Sequence, residues 1–372
     1  MIPILDLKRQ YNSMKTEIDK AVIDVLESGC FVLGPNVKEL EKDIATYCNT
    51  KHAVSLASGT DAIHLALRAL DIGVGDEVIT VSFTFVATTE AISLVGATPV
   101  FVDVDEKTFN IDYKEIEKKI TPKTKAIMPV HLYGQPCDMD IILEIAKKYN
   151  LAVIEDCCQA IGAEYKGKKV GSFGEIGCFS FFPTKNLGAY GDGGIITTNS
   201  DFIADRMLAL RNHGGKVRYY HDEVGTNSRL DEMQAAILRV KLPHIDKWNN
   251  QRKEAADYYN NLFAGVEGVE TPYELDETSC VYHQYTLKVK NRDALHKYLN
   301  ENGVMAMIYY PVPLHLQKLH ENLGIKKGEL PVTEDLNLKV LSLPIFPELT
   351  RDEQNTVAQT LIKGLAELKA TV

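Results

Sequence analysis

The stretch Phe179-Ser180-Phe181-Phe182-Pro183-Thr184-Lys185-Asn186-Leu187-Gly188-Ala189-Tyr190-Gly191-Asp192-Gly193-Gly194 sets one lysine between an apolar run and four glycines in seven residues. A lysine is ordinarily a solvated surface group. Here the glycines let the backbone take positive φ and approach another group closely, which suits an ammonium aimed into a pocket. A lysine partly withdrawn from water loses its proton more readily and can act as a nucleophile or form a Schiff base. Taken alone, the pattern fits a surface lysine beside a glycine turn better. Three other groups bear chemistry. Ser58-Gly59-Thr60-Asp61 stands between a short apolar run and a helical pattern, a geometry that presents free N–H groups to an anion. Phe85 could supply an aromatic plate. Glu155-Asp156, with Gln159 three residues on, offers a carboxylate and an amide. Each has a plainer reading: a capped helix, a core ring, a cap, a solvated amide. The plain readings do not explain why all four arise at the ends of apolar runs.

Those runs are the positioning elements. Residues 53–57, 78–81, 98–102, 125–130 and 151–154 read as short buried strands. Between them lie helical patterns, one with Ile63, Ala66, Leu67 and Leu70 on one face, one opened by Phe83-Thr84-Phe85 and running to Val95, and one over residues 139–149. Strands alternating with helices imply βαβ units and a mostly parallel sheet. Ligands of such sheets sit beyond the carboxyl ends of the strands. Three of those ends deliver Ser58-Gly59-Thr60, Phe83 with Phe85, and Asp156 with Gln159.

Before these strands, residues 13–26 and 36–47 read as helices, with Asn36 as N-cap of the second. Gly171-x-x-Gly174-x-x-Gly177 departs from the dinucleotide fingerprint in spacing and reads as a turn between short strands. Residues 201–211, 230–240 and 246–263 are helical patterns, and residues 213–227 form a long polar, aromatic loop of the kind that is functional or an interface. From about residue 271 the pattern changes to a smaller α+β unit, with strands at 284–289 and 305–310, a helix at 292–302 and a last helix at 351–368. The expected division is residues 1–250, a large α/β domain with an N-terminal arm, and residues 251–372, a small C-terminal α+β domain.

The chain has 372 residues, about two domains' worth, and 45% apolar residues. Its net charge of −10 argues against nucleic acid as a partner, which needs a basic surface. The most apolar stretch, residues 78–102, is interrupted by Glu90, Gly96 and Pro99 and is a poor membrane span. With no secretory leader pattern and seven cysteines lacking any Cys-x-x-Cys pair, the expectation is reduced thiols in a cytoplasm and no metal site.

Ser-Gly-Thr-Asp-Ala, Phe-Thr-Phe-Val-Ala-Thr, Glu-Asp-Cys-Cys-Gln-Ala, Ser-Phe-Phe-Pro-Thr-Lys-Asn-Leu-Gly and Gly-Thr-Asn-Ser-Arg-Leu-Asp-Glu-Met-Gln-Ala-Ala occur in this order. With these five motifs the chain resembles, nearly end to end, the DegT/StrS-type sugar aminotransferases, which bind pyridoxal 5′-phosphate (PLP) on the aspartate-aminotransferase fold. The resemblance implies a seven-stranded, mostly parallel mixed sheet between helices. It implies that Lys185 holds PLP as a Schiff base and shuttles protons, and that Asp156 faces the pyridinium nitrogen. It gives Gln159 the phenolic oxygen, Phe85 the ring face, and Ser58, Gly59, Thr60 and Ser180 the phosphate. Asn227 would reach that phosphate from the second subunit of a homodimer. Lysine at 185, where dehydrating relatives carry histidine, implies transamination, with glutamate as donor and a pyridoxamine phosphate form in the cycle. The acceptor implied is a dTDP-linked 3-keto-6-deoxyhexose, aminated at carbon 3, with carbon-4 amination, a dehydratase and a non-catalytic regulator as alternatives. Lys216, Tyr220, Arg229, Tyr310 and His315 are the implied sugar-nucleotide contacts. Cys157 and Cys158 stand where many relatives have alanines, and packing is expected of them. Several 3-aminating relatives have histidine where Ile161 stands, so no contact is expected there.

Overall fold

The structure, a computed structural model, describes residues 1–370. The chain opens with α1 (Leu7–Ser13), α2 (Lys15–Ser28) and α3 (Pro35–Tyr47). Then strands and helices alternate: β1 (His52–Leu56), α4 (Gly59–Ala69), β2 (Glu77–Val81), α5 (Ala87–Leu94), β3 (Thr98–Val102), α6 (Tyr113–Lys119), β4 (Thr124–Ile127), α7 (Met139–Tyr149) and β5 (Ala152–Asp156). A small hairpin, β6 (Glu164–Tyr165) and β7 (Lys168–Lys169), precedes β8 (Ile176–Ser180) and β9 (Gly194–Thr198). Three helices follow, α8 (Asp201–Leu210), α9 (Glu232–Lys241) and α10 (Ile245–Phe263).

The main sheet has seven strands in the order β1-β9-β8-β5-β4-β2-β3. β9 runs antiparallel to both of its neighbours, and the other contacts are parallel. The strands are apolar on both faces because both faces are covered. Cys178 and Ile196 turn to one core with Ile63, Leu67 and Met207, and the alternate residues Phe179 and Ile195 turn to the other with Leu40, Ile44 and Leu238. Two reversals of direction, at β9 and again at β1, leave β1 running with β2, β5 and β8. Their carboxyl ends therefore share one edge of the sheet, which brings Ser58, Phe85, Asp156 and Ser180 to one side of the molecule.

The rest of the chain adds β10 (Val269–Glu270), β11 (Thr278–Ser279), β12 (Tyr285–Val289), α11 (Arg292–Glu301), α12 (Pro331–Lys339), β13 (Val340–Leu343) and α13 (Arg351–Ala370). β10, β12 and β13 form an antiparallel sheet with β12 central. β11 pairs with β6, so this part is also tied back to the hairpin. α10 crosses from one core to the other: Ile245 and Trp248 pack with the large sheet, and Ala256, Tyr259 and Phe263 pack with Tyr285, Leu287 and Leu361. The division expected at residue 250 falls inside this helix, and residues 371–372 of that division lie outside the described residues.

Three expectations need correction. Residues 305–310 are not a strand. They meet β13 at a single bridge, Met307 to Ser342, and the prolines at 311 and 313 carry the chain away. The third strand of that sheet is β13, following a helix at Pro331–Lys339 that the sequence reading left out. Asn36 does not cap α3. Pro35 occupies the first turn, and the Glu232 carboxylate at the start of α9 accepts the Asn36 and Val37 amides, placing an anion on the helix N-terminus. Phe83 and Phe85 precede α5 without belonging to it, which buries Phe83 and leaves Phe85 out of the core, 53% exposed.

Candidate active site

Four segments meet at the carboxyl edge of the main sheet. The first is the start of α4. Ser58 is its N-cap and accepts the Asp61 amide through its own hydroxyl at 3.1 Å. That leaves the Gly59 and Thr60 amides, which a helix cannot satisfy internally, pointing out of the N-terminus. Glycine at 59 lets the end of β8 come in against this turn, since a Cβ there would lie 2.6 Å from Ser180 Cβ. Gly194 serves the same approach from β9: a Cβ would meet the Ser58 carbonyl oxygen at 2.2 Å. The result is a cradle of free amides beside the Ser180 hydroxyl, with the space cleared by glycines.

The second segment is the end of β5. Asp156 is buried, and its carboxylate accepts the Thr88 hydroxyl at 2.8 Å and the Cys158 amide at 3.1 Å. Thr88, the second residue of α5, is a functional neighbour that sequence reasoning missed. Its signal was the three-residue spacing from Phe85, whose carbonyl accepts the Thr88 amide at 3.3 Å in the turn that leads into α5. Gln159 accepts the Tyr133 amide at 2.8 Å and donates through Nε2 to the Tyr310 hydroxyl at 3.0 Å.

Behind Asp156 lies Glu155, with no exposed surface. It accepts the amides of Gly171, Phe173 and Gly174 at 2.8, 2.8 and 2.9 Å and faces His131 Nε2 at 3.2 Å. His131 Nδ1 accepts the Cys137 amide, so the proton resides on Nε2 and is donated to Glu155. Burial alone would raise the Glu155 pKa. The His131 contact and the glycine-loop amides outweigh it and hold the carboxyl below the usual range. This explains the Gly171–Gly177 turn: it is a backbone nest around a carboxylate of the protein itself, and it fixes the strand end that presents Asp156.

The third segment carries Lys185. The side chain is half-buried, and its Nζ has no hydrogen-bond or ion-pair partner among the described residues. Burial lowers its pKa from the ordinary lysine value, and the pull of Cys158 and Asp156 the other way does not cancel that. The loop behind it is anchored by helix α9. Lys241 Nζ donates to the Gly188 carbonyl at 2.6 Å, and Gln234 Oε1 accepts the Tyr190 amide at 2.8 Å. The fourth segment is aromatic. Phe85 and Tyr310 lie with ring centroids 6.1 Å apart, and Tyr310 in turn accepts from Gln159. Lys185, Asp156, Gln159, Ser58, Gly59, Thr60, Ser180, Phe85 and Tyr310 are thus collected at one edge.

The other sequence candidates lie elsewhere. His315 is withdrawn from it: Nδ1 faces Ser82 Oγ at 2.7 Å, Nε2 faces Glu334 Oε1 at 3.2 Å, and the ring is buried, so it serves as a structural tie. Arg229 is held by Asn212 at 3.1 Å. Asn227 is exposed beside it, where Asn212 and Asn227 form an isolated bridge. Lys216 is exposed and ion-paired with Asp205, and Tyr220 is exposed on the same tip. The base of that loop is pinned where Arg206 meets Glu223 and Arg68 meets the Val224 carbonyl. Cys157 and Cys158 pack as expected, one against each core, and all seven cysteines are free thiols. Ile161 is core.

The gathered groups are those that PLP requires: an available amine, a carboxylate fixed opposite it, an aromatic face, and amides for a phosphate. The cleared cradle at Gly59 and the unpartnered Lys185 amine are the features of this structure that fit it.

Residues 12–362 match the DegT/DnrJ/EryC1/StrS aminotransferase family. The chain is 52% identical to the pleiotropic regulatory protein of Geobacillus stearothermophilus, over 97% of each chain. It is 48% identical to the UDP-N-acetyl-3-dehydro-α-D-glucosamine 3-aminotransferase of Acidithiobacillus ferrooxidans, again over 97% of each. It is 47% identical to the dTDP-3-amino-3,6-dideoxy-α-D-galactopyranose transaminase of Aneurinibacillus thermoaerophilus, over 97% of this chain and 99% of that one. Among solved structures, DesV of S. venezuelae, in complex with a ketimine intermediate, superimposes with a TM-score of 0.95 at 44% identity, covering 97% and 98% of the two chains. NtdA of Bacillus subtilis, with bound PMP, gives 0.92 at 36% identity, covering 98% and 85%.

Proposed function

The chain belongs to the DegT/DnrJ/EryC1/StrS aminotransferase family, with the PLP fold type I architecture, and we propose that it aminates carbon 3 of a dTDP-linked 3-keto-6-deoxyhexose with glutamate as donor. It is a PLP-dependent sugar aminotransferase. The observation that carries the assignment of its centre is Lys185, an unpartnered amine with a lowered pKa at the edge where Asp156 and the α4 amides meet.

Bound PLP supplies an electron sink for the carbon that loses or gains the amino group. Lys185 would hold PLP through Nζ, and its amine, once released, would carry the proton away from the donor's carbon and bring one to the acceptor's. Burial lowers its pKa and so favours the proton-accepting form relative to an ordinary lysine. Asp156 keeps a negative charge facing the ring nitrogen, and the Thr88 and Cys158 donors hold that carboxylate in one orientation. Gly59, Thr60 and Ser180, with Ser58 shaping the turn, take the phosphate. Gln159, which donates to the Tyr310 hydroxyl through Nε2, would offer its second N–H to the phenolic oxygen. Phe85 covers one ring face and excludes water from it.

Asn227 and the Lys216–Tyr220 tip are exposed in the single chain, which supports a homodimer whose sites are shared between subunits. Asn227 then reaches the partner's phosphate site. Lys216, Tyr220, Arg229 and Tyr310 are the candidates for the sugar nucleotide, with the two cations suited to a diphosphate. Among the described residues no helix is long and apolar enough to cross a membrane. The reading places the enzyme in the cytoplasm, in line with its free thiols.

Amination at carbon 3 is common to the names of the UDP- and dTDP-sugar relatives, and the nucleotide differs between them. The test is to load the enzyme from glutamate and offer dTDP-3-keto-6-deoxyhexoses, a dTDP-4-keto-6-deoxyhexose and a UDP-linked 3-keto-N-acetyl sugar. Product with amine on carbon 3 of the dTDP sugar supports the reading. Turnover of the UDP sugar alone, or of the 4-keto sugar alone, contradicts it. Failure to accept an amino group from any donor would favour a regulatory role of the kind named in the Geobacillus relative.

A further inference from the structure

The residue after Lys185 is held from two other parts of the molecule, α10 and the segment at residues 281–283. Asn186 Nδ2 donates to Asn249 Oδ1 at 2.8 Å and to the Val281 carbonyl at 2.9 Å. With both N–H groups used, the amide offers only Oδ1 to His283, whose Nδ1 lies 3.2 Å away, so the His283 proton is on Nδ1 and is donated. Asn249, on α10, donates through Nδ2 to the Ile161 carbonyl at 3.0 Å, in the turn that leaves β5 just after Asp156 and Gln159. Gly162 makes the room for this, since a Cβ there would lie 2.5 Å from Asn249 Nδ2. Arg252, one turn along α10, clasps the other side of His283 by donating to the carbonyls of Tyr282, His283 and Ile345 at 3.2, 3.4 and 3.0 Å. Asn186 and Asn249 are both buried.

From this arrangement we infer that His283 is a positioning residue, which fixes Asn186 and so sets Lys185 in register with the turn carrying Asp156 and Gln159. The inference rests on Lys185 being the group that captures PLP. A long lysine side chain gives up much rotamer freedom when fixed, so a preset backbone direction matters for how readily its amine finds one target. The Asn186 side chain makes three hydrogen bonds, and all three lead outside the loop and its sheet, one to α10 and two to the segment before β12. The ring works as a neutral donor. The charged groups facing it are Lys185 from the loop and Arg252 from α10. Burial first, and then those two cations, hold His283 well below the ordinary histidine range. It therefore donates to Asn186 throughout the working pH range and carries no proton in the reaction.

The test compares wild type, His283→Phe, which keeps the ring's bulk without a donor, and His283→Gln, whose amide can still donate to Asn186. Apoprotein is mixed with PLP, the absorbance band of lysine-bound PLP is followed in time, and thermal unfolding of each apoprotein is measured alongside. The expected result is capture slowed about tenfold in His283→Phe and restored to within about threefold in His283→Gln, the scale of one lost hydrogen bond in a buried setting. Capture at the wild-type rate by His283→Phe, or capture by folded His283→Gln as slow as by His283→Phe, overturns the inference. If His283→Phe does not fold, Asn249→Ser cuts the same network from its far end: slowed capture supports the inference, and wild-type capture overturns it. A wild type that never develops the band overturns the functional reading and this inference with it. A normal wild-type band with unslowed variants overturns this inference alone.

Discussion

Two withdrawn lysines stand on opposite sides of one loop. On the open side, Lys185 Nζ has no partner among the described residues and faces the edge that collects Asp156, Gln159 and the α4 amides. On the packed side, Lys241 has no exposed surface, donates to the Gly188 carbonyl at 2.6 Å and lies 4.3 Å from the centre of the Tyr190 ring. Burial lowers both pKa values, that of Lys241 to about 7. A lowered pKa therefore does not mark the reacting amine. What separates the two is commitment: Lys241 already spends its donors on the loop, and Lys185 is free to react.

Lys185→Ala is the severest test of that contrast. It should remove turnover by at least about 10⁴-fold, because no other group at the edge can carry the proton. Near-normal kcat in this variant would end the distinction between the two lysines. Asp156→Asn should follow, lowering kcat by about 10²- to 10³-fold while the protein still binds PLP, since it removes a fixed charge and keeps the shape. A kcat within a factor of two of wild type would remove Asp156 from the centre. Asn227→Ala should weaken PLP binding by about tenfold, the loss of one hydrogen bond to a charged group. Mixed with Lys185→Ala subunits, it should regain part of the activity, and verified mixed dimers that stay inactive would contradict a shared site.

Lys241→Met sharpens the comparison from the other side. It should leave kcat within about threefold and cost about 1–3 kcal/mol of stability at alkaline pH by orphaning the Gly188 carbonyl. The pH dependence has a definite sign. Above about pH 7 and up to the ordinary lysine value, the unfolded chain holds a proton on Lys241 that the folded chain has released. The stability of wild type relative to Lys241→Met must then rise with pH through that window, by up to about 1.4 kcal/mol per pH unit. Below it, the unpaired buried charge imposes its full penalty. Denaturant melts of both proteins at pH 6.5 and 9 read this directly, and a flat or falling difference would show that Lys241 stays charged.

Much of this was legible in the sequence where one period or one turn decides the structure. The strand Thr98–Val102 and the helix Met139–Tyr149 have the bounds that their apolar patterns indicate. The strand ends at Ser58, Asp156 and Lys185's loop could be named because apolar runs stop there in polar or glycine-rich turns. What was not legible depends on distant partners. Glu232 stands in the first turn of its own helix, and it caps α3 almost two hundred residues away. His315 was an implied sugar-nucleotide contact, and Ser82 and Glu334 engage both of its ring nitrogens. Residues 305–310 carry a strand-like composition, and β12 already has β10 and β13 on its two edges. The network of Asn186, Asn249 and His283 joins positions 186, 249 and 283, a separation that no local pattern can signal.

The most direct measurement is the absorbance spectrum of purified protein with PLP, before and after glutamate, for wild type and Lys185→Ala. The account predicts a lysine-bound PLP band in wild type that glutamate removes and a keto sugar nucleotide restores, and no such band in Lys185→Ala. A band in Lys185→Ala equal to that of wild type, or a wild-type band indifferent to every amino donor, would contradict it.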